Sequence, residues 1–287
     1  MEKLELEKYM GYTSELNFIA GQITRDGTLL LIESDLDELD FFERPVPKRN
    51  WSIKIIQGGR IETVELKDVP LIPTEVDLFS DGTLLIVQGR CLKEGEYIEK
   101  NARRYDRSGR LIDAFTLGDG IQQVQIDETD TIWVSYFDEG IFGNFGWDNP
   151  MGSDGVVQYT SSGEKVWGAR DFGIVDCYAL NVVSSKEIYF YYYDDFHLVK
   201  LNENEESTRY RVNCRHHTIE QFMLDGADIL AEVDVNSVMR YRKKFRSYTP
   251  KGNLEVVDEK GNHISGTVFM RGEYLYVLSK DGIYKKK

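Results

Sequence analysis

The chain has 287 residues, of which 41% are hydrophobic and 29% are charged, so it can bury a full core, and all-β chains of this size commonly fold as one domain. The formal net charge of −14, from 49 acidic and 35 basic residues, opposes attraction to nucleic acids and to anionic membranes. The N-terminal MEKLELEKYMGY has no apolar signal core, and no segment approaches the roughly 18 apolar residues of a membrane helix. We therefore expect one cytoplasmic domain, residues 1–287, with a protein or peptide partner and with neither a nucleic-acid nor a membrane partner.

A repeat runs along the chain in six 15-residue segments that align without gaps and begin at Ala20, Glu75, Gln123, Ala179, Glu220 and Gly266. Each segment has turn residues at its centre, such as Asp26-Gly27, between two runs of strand-forming residues. This pattern is typical of a β-hairpin. The second run is apolar on both faces, which predicts a strand sandwiched between neighbouring sheets.

The spacing of the hairpins predicts the architecture. The first apolar residues of the second strands are 41 to 56 residues apart, and propeller blades repeat at roughly 40 to 50 residues. The last repeat has no fourth strand before the chain ends, whereas Leu4 and Leu6 alternate with charged residues in a spare N-terminal strand. Because an unpaired sheet edge favours aggregation, we expect this strand to complete the last blade. The prediction is an all-β fold, a six-bladed β-propeller closed by an N-terminal strand.

The cysteines give no sign of a disulfide framework or a zinc site. Three cysteines, Cys91, Cys177 and Cys214, lie far apart, and their odd number and wide spacing match neither pattern. Cys214 is followed by His216 and His217, but no second pair at zinc spacing accompanies them. We interpret this segment as a turn beside the fifth blade.

Two segments, VQIDETDTIWVSYF and VDLFSDGTLLIVQG, resemble blades of the broad NHL-repeat, gluconolactonase-like and two-component-regulator group of six-bladed propellers. The resemblance covers nearly the whole chain and concerns structure, since propellers host hydrolases, receptors and scaffolds alike. It implies that the first strand of each blade lines the axis. It also implies that the loops joining the second and third strands gather on one face.

On that face, the first three blades have long loops, Ser34 to Asn50, Gly89 to Asn101 and Phe137 to Asp154, and loops of more than about 12 residues are usually functional or disordered. The third loop combines glycines with Phe142, Phe145, Trp147 and Asp148. Large aromatic residues are typical anchors of protein interfaces. Our leading hypothesis is a non-catalytic propeller that binds a protein or peptide through the loops of blades 1 to 3. Alternatively, these rings fold back and plug the top of the propeller.

A second hypothesis is a divalent-metal-dependent hydrolase of lactones or phosphoesters. Polar residues recur near the start of the first strands, at Glu75, Asp77, Gln123, Gln125, Asn181 and Glu220, and converging oxygen ligands suit calcium or magnesium. The resemblance to gluconolactonase-like enzymes implies a metal held by glutamate, asparagine and aspartate, for which Glu15, Glu75 and Asn181 are the nearest matches. Ala20, Ala179 and Gly266 occupy equivalent positions, which favours a hydrated polar channel with no cofactor.

Overall fold

The structure is a computed structural model that describes residues 2–202, 207–213 and 218–287; Cys214, His216 and His217 lie outside these residues. The described residues form one short α-helix, α1 (Asp138–Phe142), and these strands: β1 (Glu2–Met10), β2 (Asn17–Ile23), β3 (Leu29–Ser34), β4 (Arg49–Gln57), β5 (Arg60–Val69), β6 (Glu75–Leu78), β7 (Leu84–Val87), β8 (Lys93–Glu94), β9 (Tyr97–Ile98), β10 (Ala102–Tyr105), β11 (Leu111–Phe115), β12 (Ile121–Ile126), β13 (Ile132–Tyr136), β14 (Val156–Tyr159), β15 (Lys165–Gly168), β16 (Asp176–Ser184), β17 (Glu187–Tyr193), β18 (His197–Asn202), β19 (Ser207–Val212), β20 (Gln221–Asp225), β21 (Asp228–Asp234), β22 (Ser237–Lys244), β23 (Ser247–Asp258), β24 (Gly266–Arg271), β25 (Tyr274–Ser279) and β26 (Gly282–Lys286). A 3-10 turn spans Arg170–Phe172. No helix in the described part of the chain is long and apolar enough to cross a membrane.

The strands form antiparallel meanders in chain order. Four strands follow one another in the sheets β2-β3-β4-β5, β6-β7-β10-β11 and β12-β13-β14-β15, and the pairings within β16 to β19 and β20 to β23 repeat this order. The first strands β2, β6, β12, β16, β20 and β24 contact one another in this order, and β24 contacts β2. This all-β arrangement of sheets around an axis is a β-propeller, as the repeat predicts.

The second strands are the most buried part of each sheet. Every residue of β3, β7 and β13 is buried, because each of these strands packs against neighbouring sheets on both faces. This explains why their sequences are continuous apolar runs and do not alternate with polar residues. The prediction of sandwiched second strands is confirmed.

The gap-free alignment of the repeats is wrong by one residue in β20 and β24, the first strands of the fifth and sixth repeats. In the first repeat the fourth residue, Ile23, pairs with the tenth, Leu29, whereas in the fifth repeat the fifth residue, Leu224, pairs with the tenth, Ile229. The reason is a tighter turn, in which Asp225 pairs with Asp228 and Gly226 has a φ of 64°. The hairpin of β24 and β25 turns in the same way. Consequently Gln221, and not Glu220, occupies the position equivalent to Glu75.

The N-terminal strand β1 lies between two other strands. It pairs antiparallel with β26, the last strand of the chain, and parallel with β23. Strand β23 also pairs in parallel with β19, so the strands from β16 onward form one continuous hydrogen-bonded network. The alternation in β1 places Leu4 and Leu6 in the core, at 5% and 0% exposure.

Replacing Leu6 with alanine is expected to lower the free energy of unfolding by about 2 to 5 kcal/mol, because the truncation leaves a cavity in a packed core. Leu111→Ala is the matched control, since Leu111 in β11 is 44% exposed and should change stability by about 0.5 kcal/mol or less. Urea denaturation measures both variants. Equal losses would contradict the buried position of β1.

Candidate functional site

Polar side chains of the first strands bond to the backbone of other strands around the axis. The amide of Gln22 in β2 donates to the carbonyls of Val76 in β6, at 2.6 Å, and Val124 in β12, at 2.9 Å. In turn, Asp77 in β6 accepts from the backbone N–H of Ile126 at 2.6 Å. These bonds join the strands β2, β6 and β12.

The same links continue through the next strands. Gln125 in β12 donates to the Leu180 carbonyl at 3.1 Å and accepts from the Val182 N–H at 2.6 Å. Asn181 in β16 donates to the Phe222 carbonyl at 2.8 Å. Its oxygen accepts from the N–H of Gly272 at 2.9 Å. The side-chain amide of Gln221 in β20 donates to the Val268 carbonyl and accepts from the Met270 N–H, both in β24. We call these side chains, together with Arg271, the axial ring.

Arg271 at the end of β24 completes the axial ring and closes one end of the axis. Its side chain is 1% exposed and its Nη1 lies 2.7 Å from Asp77 Oδ2, whose side chain is also fully buried. The guanidinium also donates to the backbone carbonyls of three different strands, those of Ile23, Ile126 and Val182. Burial raises the pKa of Asp77, and the charge of Arg271 opposes that shift. No motif in the sequence marks Arg271.

A cavity of about 300 Å³, the axial cavity, lies where the first strands begin. Its lining includes the carboxyl groups of Glu75, Glu220 and Glu232, several glutamine amides and the rings of Phe18 and Phe269. The lining residues include no lysine, arginine or histidine. The sequence prediction of a polar channel therefore describes this end of the axis.

Glu75 is the carboxyl group with the most strongly shifted pKa in the axial cavity. Burial raises its pKa to about 8, the N–H of Val124 opposes the shift, and the charge of Asp77 adds to it. Burial also raises the pKa of Glu232. Both oxygens of Glu232 accept hydrogen bonds, from the Gln221 amide at 2.6 Å and the Asn236 N–H at 2.8 Å.

The residues implied for a calcium or magnesium site do not form a common ligand set. Glu15 is exposed in the turn between β1 and β2, and it does not line the axial cavity. Asn181 is 1% exposed, and both of its amide atoms already bond to Phe222 and Gly272. Within the described ranges, no group of three or more His, Cys, Asp or Glu residues is placed to hold a metal ion.

The three long loops contact one another and form what we call the three-loop surface, residues 35–48, 88–101 and 137–155. The indole N–H of Trp147 donates to the Cys91 carbonyl at 2.7 Å. The N–H of Lys93 donates to the Phe145 carbonyl at 3.1 Å. The first loop is tied to the second by the ion pair of Arg44 Nε with Glu99 Oε1, at 2.6 Å. The three loops therefore form one surface rather than separate extensions.

Arg90 lies at the centre of this surface. It forms ion pairs with Glu139 and, at 3.1 Å, with Asp119. Its guanidinium carbon also lies 5.2 Å from the ring centre of Phe42 and 5.4 Å from that of Phe145, distances at which a cation is attracted to an aromatic face. Arg90 thus links all three loops, and sequence reasoning missed it.

The aromatic residues of the surface have different roles. Trp147 is only 5% exposed, and Lys93 Nζ lies 5.4 Å from its ring centre, so this ring folds back against the loops, as in the alternative that the sequence analysis left open. Phe145 is half-buried and contacts both Arg44 and Arg90. Phe142 is 66% exposed and Phe42, which the sequence analysis overlooked, is 61% exposed. In the sequence, Phe42 could have been noticed as part of a Phe-Phe pair within the acidic segment DLDELDFFE.

The first and third loops, which carry these two rings, also carry exposed carboxylates. They are Asp35, Glu38, Asp40, Asp138 and Asp148. The structure shows no ion pair between them and any described residue. We call these five carboxylates, which include the Asp148 that the sequence analysis selected, the acidic rim. A rim of unpaired carboxylates favours a cationic partner.

Comparisons with known proteins support the fold and leave the function open. A family model described as the YxzG family matches residues 151–286, which is less than half of the chain. No curated protein matches. The selenomethionine-substituted virginiamycin B lyase from Staphylococcus aureus has a TM-score of 0.56 at 11% identity, and the match covers 96% of this chain and 81% of that one.

Two further solved structures are similar. A streptogramin B lyase structure has a TM-score of 0.52 at 10% identity, with 98% of this chain and 97% of that chain covered. A chain of the Mitotic Checkpoint Complex has a TM-score of 0.53 at 7% identity, with 96% and 76% covered. Identities this low show the β-propeller fold alone.

The different burial of Trp147 and Phe142 predicts different effects on stability. Trp147→Ala should lower the free energy of unfolding by about 3 to 5 kcal/mol, because it leaves a cavity and removes the bond to Cys91. Phe142→Ala should change it by about 0.5 kcal/mol or less, since its ring is solvent-exposed. Urea denaturation compares the two. A loss of unfolding free energy as small as that of Phe142→Ala would instead favour the hypothesis that Trp147 is a binding anchor.

Proposed function

We propose that the whole chain, residues 1–287, is a six-bladed β-propeller closed by β1 and acts as a non-catalytic binding platform. The three-loop surface would hold a protein or peptide that carries basic residues beside an apolar group. Six blades are supported by the cyclic contacts of β2, β6, β12, β16, β20 and β24. Closure is supported by the pairing of β1 with β26 in the last hairpin's sheet.

The observation that carries the binding proposal is the exposure of Phe42 and Phe142, at 61% and 66%, on loops that are bonded to one another. Exposed aromatic rings bury a large apolar area when a partner covers them, and they lose little conformational entropy. Phe42 is held in a ring contact with Phe145, at 6.1 Å between centres. The anchors are thus presented by an ordered framework, which lowers the cost of binding.

The charge of the surface favours a basic partner. The five carboxylates of the acidic rim form no ion pair with the described residues, and the chain as a whole has a net charge of −14. Complementary charge accelerates association and fixes orientation. A peptide with lysine or arginine beside an aromatic or aliphatic residue would satisfy both the rim and the rings.

The described thiols support a non-catalytic role. Cys91 and Cys177 are fully buried, and burial raises the pKa of the Cys91 thiol to about 12. The pKa of Cys177 is raised as well, again by burial. A reactive cysteine needs an exposed site and a lowered pKa, so neither thiol is suited to be a nucleophile.

Random-peptide display tests this proposal with a chemical readout. Peptides selected on the wild-type chain should be enriched in lysine and arginine, and their affinity should fall as salt concentration rises. The double variant Phe42→Ser and Phe142→Ser should bind them at least roughly thirtyfold more weakly, since one anchor contributes about 2 kcal/mol or more. The measurement is the Kd by fluorescence anisotropy.

Phe245→Ser is the matched control, because Phe245 is 90% exposed but belongs to the turn between β22 and β23, outside the three-loop surface. This variant should bind the selected peptides like the wild type. Peptides that are acidic, or that bind the double variant unchanged, would refute the proposal.

A further inference from the structure

The axial cavity has a composition that the three-loop surface does not use. Its lining combines three carboxyl groups with the rings of Phe18 and Phe269 and no basic side chain. The two rings contact each other edge to face, with centres 5.9 Å apart. A volume of about 300 Å³ is at the lower end of the range for small-molecule sites. The cavity thus has an aromatic wall and an acidic lining.

Besides Glu220, which is exposed, Glu75 is the carboxyl group of the cavity that is free to meet a ligand. Its Oε2 accepts one long hydrogen bond, from the Val124 N–H at 3.3 Å, and its Oε1 has no hydrogen bond to the described residues. Glu232 differs, since both of its oxygens are engaged. Asp77, the next carboxylate along β6, is paired with Arg271 below the cavity.

We propose that the axial cavity binds a small organic cation, a primary amine with an aromatic group. The ammonium group would bond to the Glu75 carboxylate, and the aromatic group would pack against Phe18 and Phe269. A cation satisfies the unbonded carboxyl oxygen, and cations are also attracted to aromatic faces. An anion would face three carboxyl groups without a counter-charge, so this ligand class is disfavoured.

Binding should be coupled to release of a proton. The pKa of Glu75 is raised to about 8, so this group is mostly protonated at pH 7 and must lose its proton to pair with an ammonium group. The other charged groups that face it are Asp77 with Arg271, Glu220 at the mouth and Glu232 on β21. Affinity for the amine should therefore rise as pH increases from 7 to 8.5.

Isothermal titration calorimetry with three ligands of one skeleton tests the proposal. Phenethylamine should bind the full chain with a stoichiometry of one at pH 8.5, and 2-phenylethanol and phenylacetate should bind at least about tenfold more weakly. Glu75→Gln should weaken phenethylamine by about tenfold or more, because it removes a charge-assisted hydrogen bond. Glu15→Gln is the matched control and should bind like the wild type, since Glu15 lies outside the cavity.

A measurement on the wild-type chain keeps the test decisive if Glu75→Gln fails to fold. At pH 7, titrations in two buffers of different ionisation enthalpy should show release of close to one proton per amine bound. The proposal is overturned if phenethylamine does not bind, if the alcohol binds equally well, if no proton is released, or if millimolar calcium displaces the amine.

Discussion

The constraint on which the structure depends is the unpaired edge of each first strand. These strands have a ladder partner on one side only, so backbone groups such as the Ile126 N–H and the Leu180 carbonyl face the axis, where a buried polar group must be satisfied. Side chains of the preceding strand satisfy them. Glutamine and asparagine suit this role because one amide both donates and accepts, as Gln125 does with Leu180 and Val182. The axial ring therefore holds the strands together by hydrogen bonds, while apolar packing holds the sheets.

The axial ring also determines where a ligand can enter. Arg271 and Asp77 fill one end of the axis. The axial cavity lies at the other end, where the first strands begin. The core carries the stability. Trp147 ties the third loop to the second, and Arg90 ties the second loop to Asp119, which precedes β12. This division leaves Phe42 and Phe142 exposed without cost to the fold, which is the arrangement expected of a binding surface on a rigid scaffold.

The sequence predicted those features that depend on local pattern. The apolar runs of the second strands and the alternation of Leu4 and Leu6 indicated sheets packed on both faces and a spare N-terminal strand, because side-chain periodicity reports burial directly. The one-residue shift at Gln221 was missed because a tighter turn changes register without changing composition. Arg271, Arg90 and the buried state of Trp147 depend on contacts between distant blades, and no local pattern records such contacts. Asn181, which the sequence suggested as a metal ligand, is a further example, since both of its amide atoms bond within the axial ring.

A double-mutant cycle on Asp77 and Arg271 tests the central claim, that polar links across the axis hold the propeller together. Arg271→Met should lower the free energy of unfolding by about 3 to 5 kcal/mol, because Asp77 is left as a buried carboxylate without its counter-charge. Asp77→Asn should also lower the free energy of unfolding, because Arg271 is then left as a buried cation without its counter-charge. The double variant should lose less unfolding free energy than the two single variants lose together. The difference, a coupling of about 1 kcal/mol or more, is expected for residues in one network. Additive losses, or single losses within about 0.5 kcal/mol, would contradict the account.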